Sequence, residues 1–299
     1  MIKQPAKLKK GDKIAIVCPA KKLPKPIDAA IAILTGWGLE VILGKTVQAD
    51  YCQFAGNDAL RAQDLQQYLD DPDICAIIAG RGGYGTIRII DELDFTAFIE
   101  NPKWLVGFSD ITILLSHVLA KLHIQSIHAQ MPYTFDESTP EALESLRKVL
   151  FGEEVAYQYS SGFANKPGMA EGLLIGGNLT LLIAAEGSAS EMDYTHKILF
   201  LEDVGEHEYA IDRMMRTLKR KGKLKNLKGL IIGAFNGLTE EKIPFGQSPE
   251  EIICELVKEY NYPVCFNFPT GHIDDNRAMV LGKMVSLKVD QQEVQFKFI

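Results

Sequence analysis

Three stretches of the chain hold residues whose types and settings could do chemistry. In Gly107-Phe108-Ser109-Asp110-Ile111-Thr112 a hydroxyl follows the apolar run Trp104-Leu105-Val106 and precedes apolar positions at Ile111, Leu114, Leu115, Val118, Leu119 and Leu122. The later spacing is one face of a helix, and the earlier run is short enough to be a buried strand. Ser109 is thus expected at a strand-to-helix turn, where the first helical N–H groups point into the same space. A nucleophilic serine would have oxyanion donors beside it there; on pattern alone, Ser109 or Asp110 reads first as the helix cap, the commoner role at such a position. In Leu199-Phe200-Leu201-Glu202-Asp203-Val204-Gly205-Glu206 the carboxylate of Glu202 closes an apolar strand. Such a carboxylate can orient a histidine, although Glu202 or Asp203 could also bind loop N–H groups. In Phe268-Pro269-Thr270-Gly271-His272-Ile273-Asp274-Asp275-Asn276-Arg277 a histidine follows a Pro/Gly turn and precedes a polar loop, a setting that leaves its ring accessible.

A fourth stretch, Gly80-Arg81-Gly82-Gly83-Tyr84-Gly85, follows an apolar run and matches GxGxxG. That pattern is the dinucleotide fingerprint, but a dinucleotide fold carries it after the first strand, and here the first strand runs into Val17-Cys18-Pro19-Ala20. The run also reads as a tight turn needing positive φ, or as a bare backbone surface serving an oxyanion. A nucleotide-dependent oxidoreductase and a two-lobed, non-catalytic binding protein stand as rival classes. Of the six histidines, His117 and His123 fall in a helical stretch, His196 and His207 in polar stretches, and His128 in a strand as a satisfied core residue. No HxH, HExxH or CxxC spacing occurs, so neither a metal nor another cofactor is expected. The five cysteines (Cys18, Cys52, Cys75, Cys254 and Cys265) read as reduced thiols of a cytosolic protein. Cys18, just after a strand, is the one with a position suited to a nucleophile.

The elements that must position these residues alternate. Strands are expected at Lys13–Val17, Glu40–Leu43, Ile74–Ala79, Trp104–Gly107 and Ser126–Ala129. Helices are expected through Ile27–Leu34, from Asn57, through Ile87, Ile90 and Leu93, and after Ser109. The class is α/β, with an N-terminal doubly wound parallel sheet (flavodoxin-like) over residues 1–152. Its functional loops lie beyond the strand C-termini, where Ser109 and the glycine run fall. A helix opened by Thr139-Pro140-Glu141 and closed by Gly152 ends this half. Residues 153–168, without clean periodicity, read as a linker. Residues 169–299 form a smaller mixed α/β C-terminal domain. Its expected strands are Leu173–Ile175, Ile198–Leu201, Leu230–Phe235, Met279–Leu281, Val285–Val289 and Val294–Phe298, the last two an antiparallel pair. Its two helices face inward through Ile211, Met214, Met215, Leu218 and through Ile252, Ile253, Leu256, Val257.

Composition narrows the class. The 299 residues are 46% hydrophobic and 24% charged, with net charge -7, as in a soluble globular protein and against a nucleic-acid partner. The basic cluster Lys219, Arg220, Lys221, Lys223, Lys225 and Lys228 reads as a solvated helix end, which suits the helix dipole. No apolar run has signal-peptide or membrane-span length, so neither secretion nor a membrane partner is expected.

Taken together and in order, Gly80–Gly85, Gly107-Phe108-Ser109-Asp110, Gly176-Gly177-Asn178-Leu179, Leu201–Glu206 and Gly271-His272 resemble the LD-carboxypeptidase family of serine peptidases. That family includes murein tetrapeptide carboxypeptidases and microcin C self-immunity peptidases. The resemblance covers almost the whole chain. It implies a Ser-Glu-His triad on Ser109, Glu202 and His272 and an oxyanion hole from the N–H groups of Gly83 and Asp110. It also implies substrate contacts near Arg81, Gly82 and Asn178, two domains that divide the triad, a cytoplasmic homodimer and a murein peptide substrate. The chain departs from the family at Ile127-His128-Ala129-Gln130-Met131, where His-Gly-Pro is expected, which bears on the pocket floor. The short segment between Glu202 and His272 lacks the extra loop of the microcin type and favours the murein type; cleavage of acyl-sulfamoyl adenylate conjugates is the alternative.

Overall fold

In chain order the elements are β1 (Lys13–Val17), α1 (Asp28–Gly36), β2 (Glu40–Leu43), α2 (Asp58–Asp70), β3 (Ile74–Ala79), α3 (Thr96–Glu100), β4 (Trp104–Gly107), α4 (Thr112–Leu122), β5 (Ser126–His128) and α5 (Pro140–Phe151). They continue as β6 (Ala156–Ser160), β7 (Gly168–Asn178), α6 (Leu179–Ala185), β8 (Ile198–Val204), α7 (Glu208–Arg220), β9 (Gly229–Asn236), α8 (Pro249–Val257), β10 (Val264–Cys265), β11 (Met279–Leu281), β12 (Met284–Val289) and β13 (Glu293–Phe298). The computed structural model describes residues 2–239 and 243–299.

The apolar runs of the first half become central strands because both their faces are covered. Ile14 to Val17, Ala76 to Ala79 and Trp104 to Val106 are all buried, as parallel strands between helical layers must be. The six-stranded sheet runs β11-β5-β4-β3-β1-β2. Its parallel part has the order 2-1-3-4-5, the flavodoxin-like arrangement, with functional loops at the strand C-termini. The sixth strand comes from the far end of the chain: β11 pairs antiparallel with β5, Met279 opposite His128 and Leu281 opposite Ser126. Thus the second half of the chain closes an edge of the first sheet.

The second sheet, β10-β9-β8-β7-β12-β13-β6, has seven strands, one more than the first. Strands β7 to β10 are parallel, whereas β12, β13 and β6 form an antiparallel extension. The close pair β12–β13 is antiparallel as the alternation implies, Val285 opposite Phe298.

Three local expectations need correction. The stretch 153–168 is not simply a connector, because it contains β6, paired with β13 from Ala156↔Lys297 to Ser160↔Glu293. Its aromatics hold it: Tyr157 Oη donates to the Ala278 carbonyl at 2.7 Å and Tyr159 Oη to that of Phe266 at 2.8 Å. The segment through Ile87, Ile90 and Leu93 is two 3-10 turns, Thr86–Arg88 and Ile90–Glu92, rather than one helix. Thr86 N–H is held by the Asp110 carboxylate at 2.8 Å and the chain is extended by Leu93, which leaves no room for an α-helical ladder. Strand β10 and helix α6 were also missed; a two-residue strand and a seven-residue helix are too short for periodicity to register.

Helix α5 matches its cues, with the Thr139 hydroxyl accepting from Ala142 N–H and Gly152 closing it in the left-handed region. The basic cluster does end α7, and part of it is paired: Lys221 meets Glu186 at 2.7 Å and Lys219 donates to the Leu256 carbonyl at 2.9 Å.

Candidate active site

Ser109 opens a short 3-10 turn, Ser109–Ile111, between β4 and α4. Its φ is +63°, a region that a non-glycine residue enters only when its surroundings demand it. The capping reading fails here, because neither the 3-10 turn nor α4 has a side-chain cap. Asp110 is buried and turns its Oδ2 to Thr86 N–H instead. Among the described residues the Ser109 hydroxyl has no hydrogen-bond partner.

The glycine loop after β3 lies directly over this turn. A Cβ on Gly82 would sit 2.9 Å from Ser109 Cβ and 3.2 Å from its Oγ, so only glycine permits this approach. Gly83 follows with φ +114°. The loop is held from beneath by the fully buried Arg61, whose Nη1 donates to Gly85 O at 2.9 Å and to Pro19 O at 2.6 Å. Gly82 and Gly83 therefore lie on a fixed backbone beside the Ser109 turn.

Glu202 and His272 come together although 70 residues separate them: His272 Nδ1 and Glu202 Oε2 are 2.7 Å apart. Glu202 is wholly buried and the His272 side chain is 19% exposed, so the pair points one way, toward solvent. Burial pulls the His272 pKa down, but the Glu202 charge, the Glu202 hydrogen bond and the Asp203 charge together raise it above its ordinary value. His272 Nε2 has no partner among the described residues. The Phe108 ring, on the residue before Ser109, lies 4.8 Å from the His272 ring. The serine turn and the Glu–His pair thus adjoin, without a hydrogen bond between Ser109 and His272 in this state.

The two adjacent carboxylates divide the roles that the sequence left open between them. Asp203 is the one that binds local groups: it accepts from Val204 N–H, Thr180 N–H, Thr180 Oγ1 and Asn178 Nδ2, each at 2.9 Å. Burial, with the Glu202 charge added, raises its pKa to about 6. Asn178 is 2% exposed and its Oδ1 caps α6 by accepting from Leu181 N–H. Asn178 thus supports the strand that bears Glu202, with both polar atoms of its side chain engaged in the fold. Arg81 braces its own loop, donating through Nη1 to Lys22 O at 2.9 Å with its guanidinium 4.8 Å from the Tyr133 ring centroid. Its Nε and Nη2 have no partner among the described residues. Cys18 is fully buried, and its thiol is pushed up to about 12 by burial and then by Asp64, so it is no nucleophile.

With that geometry in view, the comparisons with known proteins are direct. Residues 14–129 match the LD-carboxypeptidase N-terminal domain and residues 171–287 the LD-carboxypeptidase C-terminal domain. The chain belongs to the LD-carboxypeptidase family. A probable murein peptide carboxypeptidase of Bacillus subtilis is 32% identical over 97% of this chain and 92% of its own length. The murein tetrapeptide carboxypeptidase of Pseudomonas aeruginosa is 31% identical over 92% of this chain and 93% of its own. The crystal structure of a muramoyltetrapeptide carboxypeptidase from Oxalobacter formigenes superposes with a TM-score of 0.86 at 29% identity, over 96% of this chain and 98% of that one.

Within this LD-carboxypeptidase fold the loop that bears His272 is held by residues that sequence reasoning did not assign. Gln130 Nε2 donates to the carbonyls of Ile273 at 3.0 Å and Asp274 at 3.1 Å, while its Oε1 accepts from Thr134. Asn236 Nδ2 donates to the His272 carbonyl at 2.6 Å. Gln130 stands in the segment that departs from His-Gly-Pro; that departure was the available signal, and here it supplies an amide that reaches the histidine loop. Among the described residues no group of three or more His, Cys, Asp or Glu is arranged to hold a metal ion, and no helix is long and apolar enough to cross a membrane.

Proposed function

We propose that the protein is a serine carboxypeptidase that releases terminal D-alanine from a murein tetrapeptide by cutting the bond between an L-centre and that D-residue. The observation that carries this reading is the 2.7 Å contact between His272 Nδ1 and the buried Glu202, beside the Ser109 turn. In the mechanism, Ser109 Oγ attacks the scissile carbonyl while His272 Nε2 takes its proton. Glu202 fixes the imidazole tautomer and stabilises the imidazolium. The N–H groups of Gly83 and Asp110 receive the oxyanion. His272 then returns the proton to the leaving amine of D-alanine, and water, activated by the same histidine, frees Ser109 from the tripeptide acyl group. The Nε and Nη2 donors of Arg81 are assigned to the free carboxylate, for which a guanidinium is suited.

In this reading residues 1–152 carry the nucleophile and residues 169–299 the acid and base. The enzyme acts in the cytoplasm on recycled wall peptides, as a homodimer; light scattering checks that last point. The test of function is release of free alanine from purified tetrapeptide, its C-terminal amide and its all-L diastereomer. The tetrapeptide is cleaved, and the other two are spared. Equal rates on all three would overturn the assignment. No release, with cleavage of an acyl-sulfamoyl adenylate conjugate, would move it to the microcin type.

A further inference from the structure

Among the described residues, four buried polar atoms beside the Glu202–His272 pair have no hydrogen-bond partner of good geometry: Glu202 Oε1, both ring nitrogens of His128, and Asn276 Nδ2. All three residues are 0% exposed. Buried polar atoms in native proteins are nearly always paired, so a cluster of orphans needs a physical account.

The fold brings these groups to one place. His128 ends β5, opposite Gly107 of β4 on one side and Met279 of β11 on the other. Its ring lies edge-on to Phe200 at 4.7 Å and 5.6 Å from Phe108, which in turn adjoins His272. Phe200 and Glu202 are two apart on β8 and so share a face of that strand. The titratable groups that act on His128 are Glu202 and His272, and the Asn276 side chain is near enough to act on it too. Those that act on His272 are Glu202 and Asp203.

The chemistry of the orphans is complementary. Asn276 Oδ1 accepts from Gly271 N–H at 2.8 Å and from Thr270 Oγ1 at 3.0 Å, which fixes the amide so that Nδ2 is the unused donor. Burial holds His128 down to about 4, so its ring is neutral at neutral pH, with one N–H donor and one acceptor nitrogen. Glu202 Oε1 is an acceptor. Donation from Asn276 Nδ2 to one nitrogen of His128, and from the other nitrogen to Glu202 Oε1, satisfies every one of them. We propose that His128 is a positioning residue for the triad carboxylate, its neutral ring donating to Glu202 Oε1 directly or through one buried water, with its tautomer set by Asn276. Glu202 is then gripped by two imidazoles, His272 on Oε2 and His128 on Oε1, and only His272 changes charge.

The inference rests on the proposed role of the Glu202–His272 pair, but its test needs no substrate. In protein labelled with 15N at histidine, the His128 ring keeps one tautomer across the titration range, and its N–H signal moves in Glu202→Gln. The His272 midpoint rises by about 0.5–1 pH unit in His128→Leu, which removes a donor from the carboxylate, and returns toward the parent value in His128→Gln, which restores one. With tetrapeptide, His128→Leu lowers kcat with little change in KM, and His128→Gln recovers part of it. An unchanged His272 midpoint in folded His128→Leu would overturn the proposal. So would a His128 signal indifferent to Glu202→Gln, a comparison that stands even where His128→Leu does not fold. If the tetrapeptide is not cleaved while the His272 midpoint responds, the function reading fails and the positioning role remains.

Discussion

His272 uses one ring nitrogen for Glu202 and leaves the other without a partner among the described residues, and in the proposed mechanism that asymmetry sets its chemistry. A buried carboxylate at 2.7 Å raises the imidazole pKa against the opposing effect of burial. As the proposed base, His272 acts when neutral, so kcat/KM should rise with pH through a midpoint above the ordinary histidine value of about 6.5. A pH–rate profile with its acid limb at or below that value would contradict the pairing. In Glu202→Gln the charge is gone while burial remains, so the acid limb should move down and kcat should drop by about 10³–10⁴-fold, because the amide NH2 can donate to Nδ1 and favour the wrong tautomer. Steady-state kinetics at several pH values measure both. A Glu202→Gln enzyme of normal kcat would remove Glu202 from the triad. At this scale the residue types were legible in the sequence and the family resemblance named Glu202 as the acid, while the residue pattern alone did not choose between Glu202 and Asp203. Glu202 and Asp203 are adjacent and chemically alike; only the structure shows Asp203 saturated by Thr180, Asn178 and Val204 and Glu202 turned to His272.

At the scale of elements, two loops hold the chemistry in place, and each can be perturbed alone. A methyl group at Gly82 would meet Ser109 Cβ at 2.9 Å. Gly82→Ala should therefore displace the serine turn and cost about 10²-fold in kcat, as small misplacements of reacting groups do, with the fold intact by circular dichroism. Wild-type turnover in Gly82→Ala would deny the close approach. Gln130→Ala removes two donations to the histidine loop and should lower stability by about 1–3 kcal/mol together with kcat. Gln130→Glu, of the same size but without the donors, should do the same in denaturant melts and assays; a Gln130→Glu protein as stable and active as the parent would show that the amide is idle. The strands and helices around these loops were legible because β1, β3 and β4 are continuous apolar runs and α5 carries a cap at each end. What escaped was local: the positive φ of Ser109, which no composition reports, and the 3-10 turns after Gly85, whose geometry depends on a contact with Asp110 from another part of the chain. Strand β6 escaped because its tyrosines, Tyr157 buried and Tyr159 half-buried, pair with residues more than a hundred positions away.

At the scale of the molecule, the two halves of the chain are interlocked. Strand β11 leaves the second half to cover the β5 edge, and β7 meets α4, where Asn178 N–H donates to Thr112 Oγ1 at 3.2 Å. A fragment of residues 1–152 should then be poorly stable and prone to associate, because β5 becomes an open edge; a monomeric fragment melting like the full chain would contradict this. The parallel order of the first sheet followed from alternating strand and helix patterns, but the return of β11 did not, since a three-residue strand carries no mark of which sheet it joins. The same interlocking makes the proposed triad a long-range assembly, with Ser109 in one half and the Glu202–His272 pair in the other. Its central claim is most directly tested by measuring D-alanine release and tetrapeptide binding on Ser109→Ala beside the parent enzyme. The expected result is loss of turnover by about 10⁴-fold or more with tetrapeptide affinity by calorimetry little changed. A Ser109→Ala protein that still releases D-alanine at a rate near that of the parent would contradict the account.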